Sequence, residues 1–243
     1  MRIPRGTKAI LLAGAMLACR ESKSDALSGG TGKDGPNIKP DSAVASSAAT
    51  PKPADPSQRA RVLFLGTSLT AGLGLDADSA YPQLIQRKID SAGLAFQVVN
   101  AGVSGETSAG LLRRLDWVLQ QPAAVVVIET GANDGLRGQS VAATKATIGQ
   151  ILDRVRQEKP DAKVLLAQME APTNLGADYT RGFHAMFPAL AREKGVALLP
   201  FLLAGVAGKE GLNQADGIHP NYLGEAIVAE NVWRGVEPLL GRR

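Results

Sequence analysis

The chain has 243 residues, 44% of them hydrophobic and 21% charged, a globular composition long enough to bury a large core. Its formal charge of +4 raises nucleic-acid binding, but nine of the 27 Lys and Arg and five of the 23 Asp and Glu lie in residues 1–59, leaving 18 of each sign beyond. The remainder is formally neutral, which removes the main support for a nucleic-acid partner, and with Cys19 as the only cysteine it has no internal disulfide.

The first element in chain order is a basic start, Met1 to Lys8, followed by an apolar run from Ala9 to Ala18 and then Cys19. The run is too short to span a bilayer as a stable helix and reads as a bacterial export signal over residues 1–19. Leu17-Ala18-Cys19 resembles a lipobox, with Met16 where a Leu is usual, so lipidation of Cys19, simple secretion and an unmodified anchor all stay open. Residues 20–59 are mainly Ser, Ala, Gly, Pro, Lys and Asp, with no aromatic residue and few large apolar ones; they cannot bury enough surface to offset ordering entropy and are expected to form a tether. A flexible coil of this length reaches on the order of 35 Å. The expected location is a membrane-anchored lipoprotein facing the periplasm, or otherwise a soluble periplasmic or secreted protein.

Residues 60–243 carry the expected folded domain. Short β-branched or leucine-rich runs at Val62–Leu65, Gln97–Asn100, Val125–Glu129, Val164–Gln168 and Ala197–Leu199 predict strands. Apolar residues at helical spacing over Tyr81–Ala92, Ser108–Leu119, Val141–Glu158, Tyr179–Lys194 and Asn221–Leu240 predict helices. That alternation predicts an α/β/α sandwich, three layers deep, around a five-stranded, mostly parallel sheet. Ligands of such sheets bind beyond the carboxyl ends of the strands, so the loops there decide function.

Those loops are Gly66-Thr67-Ser68-Leu69-Thr70-Ala71-Gly72 after the first strand, Ala101 to Ser108 after the second and Thr130 to Gly135 after the third. Asp216-Gly217-Ile218-His219-Pro220 follows the last strand and an irregular stretch. A serine hydroxyl is a weak nucleophile at neutral pH and needs an imidazole to take its proton and a carboxylate to orient the imidazole. Ser68, His219 and Asp216 supply these types. Attack on an ester carbonyl also develops negative charge on its oxygen, and preorganised donors there are worth roughly 3 kcal/mol each. The N–H of Ser68, the N–H of Gly105 and the amide of Asn133 are the candidate donors.

Taken with the order and separation of these four blocks, the chain resembles the SGNH hydrolases, also called the GDSL family. It is most similar to the bacterial branch of acyl-CoA thioesterase I, lysophospholipase L1 and arylesterases. The resemblance covers nearly all of residues 61–239. It implies the flavodoxin-like fold of that family, Ser68 as nucleophile, Gly105 and Asn133 as oxyanion donors, His219 as general base and Asp216 as its orienting carboxylate. Thr67 departs from the family signature, which carries Asp there; a Thr can make a local hydrogen bond to nearby backbone. Ala132 replaces a more usual Gly and leaves the Asn133 donor in place.

Each of these residues has a plainer reading when taken alone. Ser68 could be a helix N-cap, Asp216–His219 an Asx turn, and Gly105 and Asn133-Asp134-Gly135 ordinary turn chemistry. Their coincidence on one rim is what the plainer readings leave unexplained. His184 is expected to be structural or at the surface, and Trp233 a core contact of the last helix. With two His and no Cys after residue 19 there is no zinc cluster, and Gly72-Leu73-Gly74 lacks the third glycine of a dinucleotide fingerprint.

The expected protein is therefore a metal- and cofactor-free serine esterase or thioesterase acting on a small ester, thioester or lysophospholipid, with Leu136 and Arg137 flanking the substrate mouth. Two other classes stay open: a cell-envelope saccharide O-deacetylase, and a non-catalytic lipid- or acyl-binding module on the same fold. A polar groove favours the saccharide and a narrow apolar channel favours lipid or aryl esters.

Overall fold

A computed structural model describes residues 59–241; the leader, Cys19 and nearly all of the tether lie outside the described residues. The strands are β1 (Ala60–Gly66), β2 (Phe96–Gly102), β3 (Val125–Ile128), β4 (Lys163–Ala167) and β5 (Ala197–Leu199). They form one sheet in the order β2-β1-β3-β4-β5, and every pairing is parallel, which sharpens the expectation of a mostly parallel sheet. Val62 to Leu65 and the whole of β3 are buried, as the continuous apolar runs require of strands covered on both faces.

The helices are α1 (Ser68–Ala71), α2 (Tyr81–Ser91), α3 (Ser108–Val118), α4 (Ala132–Leu136), α5 (Val141–Glu158), α6 (Ala177–Lys194) and α7 (Tyr222–Leu240). Each long helix buries one stripe: Tyr81, Ile85 and Ile89 on α2, Leu111, Leu115 and Val118 on α3, Val228, Val232, Val236 and Leu240 on α7. The chain runs from β1 outward to β2, then crosses back to β3, β4 and β5. Right-handed crossovers therefore place α2 on one face and α3, α5 and α6 on the other. The packing agrees, with α3 against α5, α5 against α6, and α2 against α7. Trp233 is partly buried against the core, as expected, with the Lys88 ammonium 6.0 Å from its ring.

The five long helices and all five strands predicted from periodicity are present, with ends shifted by a residue or two. The short helices α1 and α4 fall in stretches read as loops, because one turn of helix has no apolar period to detect. Asn221, expected inside the last helix, is instead its N-cap, accepting the N–H groups of Leu223 at 3.0 Å and Gly224 at 3.1 Å. The reversal of strand order at β1 and β3 opens a crevice at their carboxyl ends, where α1 and α4 both begin.

Candidate active site

Ser68 is the first residue of α1, directly after the buried end of β1 and the cap residue Thr67. Its Oγ lies 2.8 Å from His219 Nε2, and His219 Nδ1 lies 2.6 Å from Asp216 Oδ2. With Nδ1 donating to the carboxylate, Nε2 is left as the acceptor for the serine proton. The other oxygen of Asp216 accepts the N–H groups of Ile218 at 2.9 Å and His219 at 3.0 Å. One carboxylate thus closes the Asx turn and orients the ring. The N–H of His219, its imidazole and the N–H of Ile218 hold Asp216 down to about 2.

The loop carrying His219 is clamped by Gln214. The Gln214 N–H donates to the His219 carbonyl at 2.7 Å, and its side-chain amide donates to the carbonyls of Leu73 at 2.7 Å and Pro220 at 2.9 Å. Gln214 therefore ties the histidine loop to the serine loop, and no sequence pattern marks it.

Under the serine turn lies Glu129, the residue after β3, fully buried. It accepts the Thr67 N–H at 2.8 Å, the Thr67 hydroxyl at 3.0 Å and the Thr70 hydroxyl at 2.9 Å. Tyr81 completes the chain, its hydroxyl 2.7 Å from that of Thr70. The partner of Thr67 is thus a side chain from another strand and not local backbone, because β1 and β3 are neighbours and end at the same level. Burial pushes Glu129 up to about 7 against the pull of its Thr67 and Thr70 hydrogen bonds. The cluster also explains Gly66, where a Cβ would stand 1.9 Å from Thr70 Oγ1 and 2.8 Å from Glu129 Oε2. A lone acid closing an all-apolar strand was the sequence signal for Glu129.

The side that carries the candidate oxyanion donors is built from two interlocked loops. Gly105 adopts φ +77°, in the left-handed region that favours glycine. Asn133 Nδ2 donates to the Glu106 carbonyl at 2.9 Å, which aims the amide and leaves its second N–H available. The N–H groups of Ser68 and Gly105 have no acceptor among the described residues. Asp134 accepts the Ser108 N–H at 2.8 Å and hydroxyl at 2.6 Å, pinning the start of α3, while Arg114 grips the Glu106 carboxylate with two bonds of 2.7 Å. Ser68, Gly105, Asn133 and His219 all line one cavity of about 400 Å³.

The cavity walls are mainly apolar, including Leu69, Leu73, Leu136, Met169, Phe201 and Leu203. Leu136 is where the sequence places it. Arg137 does not line the cavity: its Nη2 donates to the Gly105 carbonyl at 2.9 Å, so it holds the oxyanion loop instead of flanking substrate. The loop after β4, which the sequence did not single out, adds Met169 to Pro172. His184 is exposed on α6, 2.6 Å from Glu170 at the cavity edge. Among the described residues no group of three His, Cys, Asp or Glu is placed to hold a metal ion.

This geometry has known counterparts. The GDSL-like Lipase/Acylhydrolase family matches residues 64–227. Esterase TesA of Pseudomonas aeruginosa is 42% identical over 180 residues, 74% of this chain and 89% of that protein. Thioesterase 1/protease 1/lysophospholipase L1 of Escherichia coli (strain K12) is 40% identical over 180 residues, 74% of this chain and 84% of its own. Among solved structures, the psychrotrophic esterase EstA from Pseudoalteromonas sp., inhibited by monoethylphosphonate, superposes with a TM-score of 0.70 at 32% identity, covering 75% of this chain and 99% of that one.

Proposed function

Because the chain belongs to the GDSL-like lipase/acylhydrolase family, we propose that Ser68, His219 and Asp216 carry out its hydrolysis of ester bonds through an acyl-enzyme. The observation that carries this reading is the 2.8 Å contact of Ser68 Oγ with an imidazole oriented at 2.6 Å by Asp216. Ser68 Oγ attacks the carbonyl carbon as His219 Nε2 takes its proton, and the oxyanion faces the N–H groups of Ser68 and Gly105 and the Asn133 amide. Collapse breaks the bond to the alcohol or thiol, which leaves with the proton from His219. Water then attacks the acyl-serine as His219 takes its proton, and the second collapse returns that proton to Ser68 and frees the acid.

Apolar walls favour an acyl or aryl group over a saccharide polymer, and likeness to the E. coli enzyme supports reading acyl thioesters and lysophospholipids as substrates beside simple esters. The test is hydrolysis of p-nitrophenyl esters from acetate to palmitate by the full-length chain and by Ser68→Ala. Turnover by the parent that vanishes in Ser68→Ala is expected; equal turnover by both overturns the serine reading. No turnover by a folded parent favours the binding module or the saccharide deacetylase, and acetylated saccharide becomes the next substrate.

Export through residues 1–19 and acylation of Cys19 complete the proposal, on the strength of the leader's charge, its apolar run and Leu17-Ala18-Cys19. Cys19→Ala is expected to move the protein from the membrane fraction to the soluble one. An unchanged distribution argues against the lipid anchor.

A further inference from the structure

β4 ends at Ala167, and after Gln168 the chain runs along the cavity from Met169 and Glu170 to Pro172. Glu170 brings a carboxylate to a wall that is otherwise almost entirely apolar. Among the described residues lining the cavity, Glu170 and His219 are the two with ionisable side chains, and the reaction uses only His219. Two neighbours hold the carboxylate by a single oxygen: Oε1 accepts from Gln168 Nε2 at 2.9 Å and meets His184 Nδ1 at 2.6 Å. Oε2 has no hydrogen-bond partner among the described residues.

A charge beside a hydrocarbon ligand loses hydration and gains nothing, so an acyl chain alone is better served by an apolar residue here. The position makes sense when the ligand itself offers a positive group to the free oxygen. Arg137, next in the chain to the cavity residue Leu136, is turned onto the Gly105 carbonyl and does not line the cavity beside Glu170.

We propose that Glu170, fixed by Gln168 and His184, is a specificity-determining residue that selects esters bearing an ammonium group at this wall and rejects those bearing a carboxylate or phosphate there. The inference rests on the serine-esterase reading of the same cavity. The Glu170 side chain is 31% exposed, so solvent screens most of its field, and the discrimination is about tenfold, the scale of one unit charge acting over a few ångströms through water.

Two substrate series separate the acyl side from the leaving side. The p-nitrophenyl esters of butyrate, hemiglutarate and 4-trimethylammoniobutyrate vary charge on the acyl group. The S-butyryl thioesters of 2-mercaptoethanol, 3-mercaptopropionate and thiocholine vary it on the leaving group. For the parent, Glu170→Gln and Glu170→Lys, the readout is the cation-to-anion ratio of kcat/KM. The ratio is expected to fall about tenfold in Glu170→Gln in at least one series, and further in Glu170→Lys. In the parent the same ratio is expected to fall as salt rises from 0.01 to 0.5 M, a measurement that needs no variant. A ratio that neither substitution moves in either series, or that salt leaves unchanged, overturns the proposal. Failure of the parent to turn over even the neutral butyryl esters counts instead against the serine-esterase reading, so the two failures are told apart.

Discussion

The carboxylate of Glu129 lies beneath Thr67, accepting its backbone N–H at 2.8 Å and its hydroxyl at 3.0 Å, so the residue before Ser68 is fastened to the end of the neighbouring strand. Glu129 continues the ladder as well, its own N–H donating to the Leu65 carbonyl at 2.8 Å. Glu129→Ala strands the Thr67 N–H and hydroxyl without an acceptor and leaves the Thr70 hydroxyl only that of Tyr81, at a cost of about 3 kcal/mol of stability. It also lets the Ser68 turn drift, lowering kcat by roughly tenfold to a hundredfold with a smaller change in KM. Glu129→Gln keeps an acceptor oxygen and is expected to recover most of both losses. Urea unfolding and p-nitrophenyl ester turnover check the pair.

Stability is expected to decline from mildly acidic to mildly alkaline pH. Burial raises Glu129 to about 7 and Glu225, whose carboxylate accepts the Tyr81 N–H at 2.7 Å, to about 8, against 4.5 for the free side chain. Below about 4.5 both states hold these protons. Between there and 7 to 8 the folded state binds more protons than the unfolded one, so stability falls as pH rises, and above 8 the slope vanishes. From pH 5 to 8 the loss from these two sites together is on the order of 6 kcal/mol. Denaturation across that range checks it, and Glu129→Gln flattens the curve.

Asp216→Asn is expected to lower kcat by about 10³ to 10⁴, because the amide no longer holds the tautomer that leaves Nε2 free to accept. Its remaining oxygen still closes the turn to Ile218 and His219, so the fold is kept. Because Asp216 stays ionised down to about 2, the acid limb of kcat/KM above pH 4 does not report Asp216. A pH–rate profile of the parent and circular dichroism of the variant check both points.

Leu136 and Arg137 are neighbours with different tasks. Leu136 lines the cavity, so Leu136→Trp is expected to shift the preferred acyl length downward. Arg137 holds the Gly105 carbonyl, so Arg137→Ala is expected to lower kcat by roughly tenfold across the ester series without moving its optimum. The p-nitrophenyl ester series on each variant separates the two.

Much of the arrangement was legible in the chain itself. Val125 to Ile128 and Leu111, Leu115 and Val118 announce a buried strand and a one-sided helix, since burial imposes a local period on each. Ser68, Gly105, Asn133, Asp216 and His219 follow from reading the loops at strand ends. α1 and α4 were not legible because a single turn carries no period. Gln214 and Asp134 were not, because their partners on the serine loop and at the start of α3 meet them only when the sheet is assembled.

By itself the sequence determined the order of strands and helices, the parallel sheet and the loops that reach one rim, since apolar periodicity and turn chemistry act over a few residues. Tertiary structure alone decided that Thr67 bonds across 62 positions to Glu129 and that Arg137 turns onto Gly105 and away from the substrate. It also decided that Glu170 is held by His184 at the edge of an apolar wall. Such partners depend on which strand ends become neighbours and at what height. Long-range packing sets that, and it leaves no pattern along the chain.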